Sequence, residues 1–342
     1  MKKPLFIIFN DSHLKTGNEK EVENAFNYMV DYAVENKIER LIFAGDMFDS
    51  RSFQRQECLQ TLRRMLKRID SKGLFLDWFP GNHDKTIYAS YDSFLDTYEH
   101  YPSTRFHRKL SVIEIEGVSI SLLPFFSDDM LIPMLEEAEG TDILISHFEM
   151  AGSTHLGKTS KKTSINQKLL SKWKKTYLGH YHNWHEISKD IVHLPSFIQA
   201  SFGEDANKGF SVIYDDLSYE IIKGRFREFK KLSIDIEQLD NAKVKEIIEA
   251  YSNSEDTIRL EITGDENRLK AFDKTRFANT GIDVKVKYDK KFDFKAEDLK
   301  MPTVVEYYGK DQVREAFAEF CKNKDYDHEQ GLKFLEKFLE QK

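Results

Sequence analysis

The chain of 342 residues has few cysteines and no long apolar run. Its two cysteines, Cys58 and Cys321, lie far apart and form no Cys-x-x-Cys pair. They argue against a disulfide framework and a thiolate metal site, and they fit a reducing compartment. No stretch approaches the ~18 consecutive apolar residues of a membrane span. The apolar run at the N-terminus stops at Asn10, too early for a signal-peptide core. We therefore expect a soluble cytoplasmic protein.

Basic residues are unevenly distributed, although the net charge of −7 does not suggest a nucleic-acid binder. The segment from Gly152 to Tyr177 contains no Asp or Glu. Its seven lysines are Lys158, Lys161, Lys162, Lys168, Lys172, Lys174 and Lys175. A second basic run covers Lys223–Lys231. Such runs are usually solvated surfaces, and the alternative is a contact with a phosphate backbone. Charge alone favours the solvated surface.

The first part of the chain alternates between strand and helix patterns. Strand patterns are separated by amphipathic helices at Glu19–Asn36 and Arg55–Gly73. This βαβαβ order is typical of a mostly parallel sheet covered by helices. From about Leu110 the pattern changes to short strands separated by polar residues, and the first two read as a hairpin. These strands indicate that the sheet also has antiparallel parts. We predict a layered α/β sandwich.

Two smaller regions follow this sandwich in the sequence. Residues 231–290 repeat the βαβαβ pattern within a short span, which is typical of a small domain. One helix is predicted there over Glu266–Gly281, with the glycine as its stop signal. Residues 291–342 contain a polar link and two amphipathic helices. We predict a main domain over 1–230, an α/β cap over 231–290 and a helical tail over 291–342.

Polar residues with metal-binding side chains follow five predicted strands. They are Asp11 and His13, Asp46 and Asp49, Asn82 and His83, His147, and finally His180 and His182. In open α/β sheets the site lies at the carboxyl ends of the strands, so these side chains can converge. A lone histidine or Gly-Asn turn would carry little weight, but the ordered set indicates a single site.

The residue types of this set predict the class of metal. Carboxylate, imidazole and amide ligands without thiolate suit Mn²⁺ first, with Mg²⁺, Fe²⁺ and Zn²⁺ as alternatives. Asp46 can bridge two ions roughly 3.5–4 Å apart, as in two-metal hydrolytic sites. The first predicted ion has Asp11, His13, Asp46 and His182 as ligands. The second has Asp46, Asn82, His147 and His180.

The motifs Asp-x-His, Gly-Asp-x-x-Asp, Gly-Asn-His-Asp, a later His and Gly-His-x-His resemble the calcineurin-like metallophosphoesterase superfamily in this order. The resemblance covers roughly the first two-thirds of the chain. Within the superfamily, "GDMFD" before a long helix, the segment "FGEDANKGF" and the succession of cap and tail are similar to SbcD-type repair and recombination nucleases, including phage versions. Two features depart from the family: no glycine follows Pro195, and Asn183 stands where an acidic residue is frequent.

The resemblance implies a Mn²⁺-dependent exonuclease or endonuclease in which a hydroxide activated by two metal ions attacks double-stranded or branched DNA. It implies that His83 contacts the scissile phosphate and protonates the leaving oxygen or stabilises charge. We expect the Asp49 carboxylate to hydrogen-bond His83 and raise its pKa, and Asp84 to fix the turn.

The resemblance also implies partners. The cap would help to grip DNA, and the tail would bind an SMC-like coiled-coil ATPase of the SbcC type, within an expected homodimer. Packing of the tail on the cap of its own chain is the alternative. The lysine run of residues 158–175 adjoins the histidine motifs in sequence and becomes a candidate DNA contact.

Two other functions remain open at the level of sequence. One is a small-substrate phosphodiesterase or protein phosphatase. Ser50-Arg51-Ser52 in place of Arg-Gly, and Gly-Asn-His-Asp in place of Gly-Asn-His-Glu, argue against a phosphatase. The other is a non-catalytic scaffold, which the presence of all seven predicted ligands disfavours.

Overall fold

The first of two six-stranded sheets carries the N-terminal strand. The structure is a computed structural model that describes residues 2–155, 158–159 and 163–287. The strand order is β14-β13-β1-β2-β3-β4, in which β1 to β4 are parallel and β13 runs antiparallel to both neighbours. The strands are β1 Pro4–Phe9, β2 Arg40–Ala44, β3 Phe75–Phe79, β4 Thr104–Phe106, β13 Gly209–Tyr214 and β14 Tyr219–Lys223.

The second sheet has the order β11-β12-β10-β7-β6-β5. Its four central strands are parallel, and β5 and β11 close the two edges in antiparallel pairs. The strands are β5 Ser111–Ile115, β6 Val118–Leu123, β7 Ile143–His147, β10 Lys175–Gly179, β11 His185–Ser188 and β12 Ile191–His193. Between β7 and β10, Thr154–His155 (β8) and Lys158–Thr159 (β9) form a short antiparallel pair.

The two sheets pack face to face through alternating side chains. Phe6 and Ile8 of β1 point into an apolar layer that contains Ile145 of β7 and Tyr177 of β10. Side chains on the other face of β1, such as that of Phe9, pack against helices outside the sheet. The helices are α1 Glu19–Glu35 and α2 Gln56–Ser71 on the first sheet, and α3 Asp128–Glu137 and α4 Gln167–Leu170 near the second. The predicted layered α/β sandwich is confirmed.

Helix α3 was not predicted from the sequence. It contains Pro133, which normally interrupts a helix interior. Its buried residues Leu131 and Leu135 join the apolar cluster outside the second sheet, so tertiary packing outweighs the local signal. Within the described part of the chain, no helix has the length and apolar content needed to cross a membrane.

A third sheet follows the sandwich in the chain. It contains the parallel strands β15 Phe229–Asp235, β16 Thr257–Thr263 and β17 Ile282–Val286, with α5 Asn241–Tyr251 and α6 Glu266–Ala271 between them. These elements share their own apolar cluster.

The single helix predicted over Glu266–Gly281 is wrong. Phe272 has an extended backbone, and the Asp273 side chain caps a separate 3-10 helix at Lys274–Phe277. The predicted tail, residues 291–342, lies outside the described residues.

Candidate metal centre

The seven predicted ligands lie together at the carboxyl ends of the parallel strands. The backbone N–H of Asp11 donates to the Gly45 carbonyl at 2.9 Å, which joins the ends of β1 and β2. In the second sheet, His147 pairs with Gly179 in register, so β7 and β10 end side by side. The polar residues at the strand ends of the two facing sheets therefore lie close together.

The first group of ligands surrounds the imidazole of His13. The Nε2 atom of His13 lies 3.0 Å from Nε2 of His182. It lies 3.7 Å from Oδ1 of Asp11 and 3.7 Å from Oδ2 of Asp46. These are the four residues predicted for the first ion.

The second group surrounds Asn82. Its Oδ1 atom lies 3.2 Å from Nε2 of His147 and 2.9 Å from Nδ1 of His180. The His147 Nε2 atom also lies 3.2 Å from Oδ2 of Asp46. Asp46 thus faces both groups through the same oxygen, as the predicted bridging position requires.

One buried oxygen provides a direct test of whether metal ions fit. Asp11 Oδ1 has no hydrogen-bond partner among the described residues. It instead faces Nε2 of His13, His182 and His147 at 3.7, 3.8 and 3.9 Å. Ligand atoms about 2.1 Å from one ion lie between roughly 3 Å apart, when adjacent, and roughly 4.2 Å apart, when opposite, in octahedral geometry, and these distances fall within that range. The donor set and its spacing therefore fit two divalent ions.

The carboxylates also change the affinity of the histidines for protons. Burial lowers the pKa of His13, but the neighbouring carboxylates of Asp11, Asp49 and Asp46 outweigh it and raise the pKa to about 10. His147 behaves similarly, with a pKa raised to about 9 by Asp46 and Asp11 against burial. Because histidine binds a metal in its neutral form, uptake of metal near neutral pH must release protons.

The backbone of the site adopts an unusual conformation. Asp11, His13, Asp46 and His180 have φ values of 52°, 43°, 61° and 88°, in the left-handed region that most residues avoid. Gly81 is required for a different reason: a Cβ atom there would lie 2.2 Å from Oδ1 of Asp46. Such outliers concentrate at functional sites.

The predicted contact between the Asp49 carboxylate and His83 is wrong. His83 donates from Nδ1 to the backbone carbonyl of Asp49 at 2.6 Å, whereas the carboxylate faces His13 and Lys15. The predicted rise in the pKa of His83 is also wrong. Burial lowers this pKa, and the charges of His13 and Arg51 lower it further.

The partners of His83 identify its proton position. Nδ1 faces a carbonyl, which can only accept, and Nε2 lies 2.8 Å from the guanidinium of Arg51, which can only donate. The ring is therefore neutral, with its proton on Nδ1 and its Nε2 lone pair towards Arg51.

Asp84 fixes the turn after β3, as predicted. Its buried carboxylate accepts hydrogen bonds from the backbone N–H groups of Gly81, Asp46, Met47 and Phe48, at 2.9 to 3.2 Å. The loops after β2 and β3 are thereby joined beneath the ligands.

Sequence reasoning missed Glu204. Its Oε1 atom lies 2.9 Å from Nδ1 of His182, and its Oε2 atom accepts from the Ala200 N–H. The carboxylate therefore orients the His182 ring so that Nε2 points at the first group. The 22-residue separation from His182 follows no local spacing rule. The only sequence signal was the presence of acidic residues, Glu204 among them, in the segment "FGEDANKGF".

Replacing Glu204 with glutamine is expected to weaken binding of the first metal ion by about 10–100-fold, because the His182 ring loses its charged partner. Titration with Mn²⁺ by calorimetry measures this. Glu220→Gln is the matched control, since Glu220 contacts Tyr214 at a distant edge of the first sheet. Equal affinities in Glu204→Gln and the wild type would contradict the orienting role.

The lysines of the run whose side chains the structure describes, Lys168, Lys172, Lys174 and Lys175, do not gather at the metal centre. Lys172 donates to the carbonyls of Leu135, Glu136 and Ala138 at the end of α3. Lys174 and Lys175 begin β10, whose opposite end carries the ligands, and they pair with acidic side chains. Of the other four lysines, Lys168 is exposed. The side chains of Lys158, Lys161 and Lys162 lie outside the part of the chain that the structure describes. DNA contact by this run remains a prediction.

Comparison with known proteins yields one informative relative. No protein-family model matches the chain. The chain is 24% identical over 164 residues to exonuclease subunit 1 of Enterobacteria phage T4, a match that covers 46% of this chain and 48% of the phage protein. The chain thus spans about half the length of this curated relative. The predicted resemblance to a phage exonuclease subunit is confirmed, at low identity.

Solved structures give weaker similarities. A dimetal phosphatase from Danio rerio has 12% identity and a TM-score of 0.41, over 63% of this chain and 93% of its own. The nuclease MPE of Pseudomonas putida has 14% identity and a TM-score of 0.31, over 64% and 87%. At these scores neither carries an argument about function.

Proposed function

We propose that this chain is a metal-dependent DNA nuclease subunit, an exonuclease or endonuclease that hydrolyses phosphodiester bonds with two divalent ions, with Mn²⁺ as the first candidate. The observation that carries the proposal is the orphaned Asp11 oxygen, surrounded by three imidazole nitrogens within a seven-ligand cluster. Sequence similarity to a phage exonuclease subunit supports nucleic acid as the substrate.

The side chains of the site have two proposed roles: the seven predicted ligands bind the ions, and His83 contacts the substrate. Two ions bound by the seven ligands would supply Lewis acidity and a nucleophile at neutral pH. His83 stands at the mouth of the cluster, with its ring 4.7 Å from that of His13. In its neutral form it offers a lone pair on Nε2, so it must take up a proton from solvent and part from Arg51 before it can protonate a leaving oxygen.

The two loops that carry Arg51 and His83 also have exposed side chains that suit a nucleic acid. The loops after β2 and β3 expose Phe53, Ile87 and Tyr91, with 59%, 63% and 44% of their surfaces accessible. Arg55 lies over the Phe53 ring at 5.9 Å. Aromatic faces beside cationic side chains are the usual means of binding bases and backbone together.

The larger assembly also belongs to this proposal. An SMC-like ATPase partner and a homodimer follow from the family resemblance, with the tail of residues 291–342 as the docking segment. The cap around β15 to β17 would contact DNA, and the lysine run would extend that contact.

The deciding experiment is cleavage of linear double-stranded DNA by the purified full chain, with and without an ATPase partner. We expect cleavage with Mn²⁺, weaker cleavage with Mg²⁺ and none with EDTA, because the donor set contains no thiolate and favours Mn²⁺. A parallel assay uses bis(p-nitrophenyl) phosphate as a generic diester.

A His83→Ala preparation excludes a contaminating nuclease in this assay. Hydrolysis of the generic diester with DNA left intact, even in the presence of the ATPase, would refute the nuclease proposal and favour a small-substrate phosphodiesterase. Failure on both substrates despite bound metal would favour a scaffold.

A further inference from the structure

Arg51 lies at the open side of His83 and is fixed there by an aromatic chain. Its Nη2 atom lies 2.8 Å from Nε2 of His83, and its Nη1 atom donates to the Tyr88 hydroxyl. The Tyr88 ring packs edge-on against Phe125 at 5.0 Å, and Phe125 stacks on the ring of His180 at 6.4 Å. The guanidinium is thus tied to a metal ligand through two packed rings.

The charge of Arg51 is not neutralised by the protein. Among the described residues, no carboxylate lies within 4.0 Å of its guanidinium, and the nearby Asp49 carboxylate instead contacts His13 and Lys15. The residue is exposed. A cation kept unpaired beside a cluster of ligands can bind an anion that arrives from solvent.

The donor geometry of arginine suits a phosphate at this position. A guanidinium has five N–H donors in a fixed plane, and Tyr88 and His83 occupy one each. Three donors therefore remain on an exposed side chain, available to an anion that arrives beside His83. Arginine is the side chain that matches two oxygens of a phosphate at once.

We propose that Arg51 is a catalytic residue that binds the scissile phosphate beside His83, and that Tyr88 is the positioning residue that holds it there. This inference rests on the proposed phosphodiesterase function. When the phosphate arrives, its oxygens replace the lone pair of His83 as the acceptor for Arg51. Its positive charge then stabilises the negative charge that develops on the phosphate oxygens.

The main test compares Arg51→Ala and Arg51→Lys with wild type in the Mn²⁺-loaded chain. We expect Arg51→Ala to lower kcat by about 10²-fold on bis(p-nitrophenyl) phosphate and on DNA alike, since the interaction is with the phosphate and not with the leaving group. Arg51→Lys should retain part of the lost kcat, because lysine keeps the positive charge but lacks the planar pair of N–H donors that binds two phosphate oxygens. Arg63→Ala removes an equal charge from the exposed face of α2 and should leave kcat unchanged.

Phosphate binding gives a readout that does not depend on turnover. Calorimetry with inorganic phosphate and Mn²⁺-loaded protein should show about tenfold weaker binding in Arg51→Ala, with metal content unchanged. Tyr88→Phe should weaken phosphate binding less, and should add nothing in the Arg51→Ala background, as expected for residues that act together.

These outcomes separate the two proposals. A wild-type chain without phosphodiesterase activity would refute the proposed function, and the phosphate titration would still decide the role of Arg51. Unchanged kcat and phosphate affinity in Arg51→Ala would overturn the role proposed here. Loss of metal or of folding in that variant would also overturn it, because Arg51 would then support the structure of the site.

Discussion

Asp46→Asn is expected to abolish turnover and to remove the stabilisation that metal ions give the fold. The Oδ2 atom of Asp46 faces both ligand groups, so both ions lose a negative oxygen at once. A ligand at 100 times its Kd stabilises a protein by about 2.7 kcal/mol, which for a chain of this size raises the Tm by about 5 °C. Thermal unfolding with and without Mn²⁺ measures this rise, and we expect it to be lost in the variant.

Asp31→Asn is the matched control for this experiment. Asp31 lies on α1 and pairs with Arg68 at the surface, away from the ligands. It should keep both the metal-induced rise in Tm and two ions per chain, measured by elemental analysis. Normal metal content in Asp46→Asn would show that this residue does not bridge two ions.

His83→Ala is expected to lower kcat on DNA by about 10²–10⁴-fold while both ions remain bound, because His83 is not among the seven predicted ligands and its removal costs a proton donor. The loss should be larger for DNA than for bis(p-nitrophenyl) phosphate, whose leaving group is stable without a proton. This dependence distinguishes His83 from Arg51, for which both substrates should lose equally. Rates on the two substrates, together with metal content, test the prediction.

His100→Ala serves as its control, since 92% of the His100 side chain is exposed and its partner is the neighbouring Glu99. Loss of metal in His83→Ala would show that His83 is a ligand. Equal losses on both substrates would show that it does not protonate the leaving group.

The sequence was sufficient to predict the ligand cluster because parallel strands end at a common edge. Asp11, Asp46, Asn82, His147 and His180 each follow a separate strand, and the βαβ order determines that these ends meet. Strand geometry likewise places Phe6 and Phe9 of β1 on opposite faces, and they pack in different layers.

Contacts between loops could not be predicted in the same way. The contacts of Arg51 with His83, and of Glu204 with His182, join segments whose separation follows no periodic rule. Asp49 does contact His83, as expected, but through its backbone carbonyl and not through its carboxylate. Sequence patterns identify an edge of a sheet, whereas the rotation of a side chain depends on packing around it.

The division of the ligands between the two sheets has a mechanical consequence. Asp46 and Asn82 follow strands of the first sheet, whereas His147 and His180 belong to the second. The interface between the sheets is apolar, and the hydrophobic effect that holds it together is non-directional. Coordinate bonds across that interface would fix the lateral alignment of the layers, so the centre proposed for catalysis would also serve as the cross-link that keeps one sheet aligned with the other.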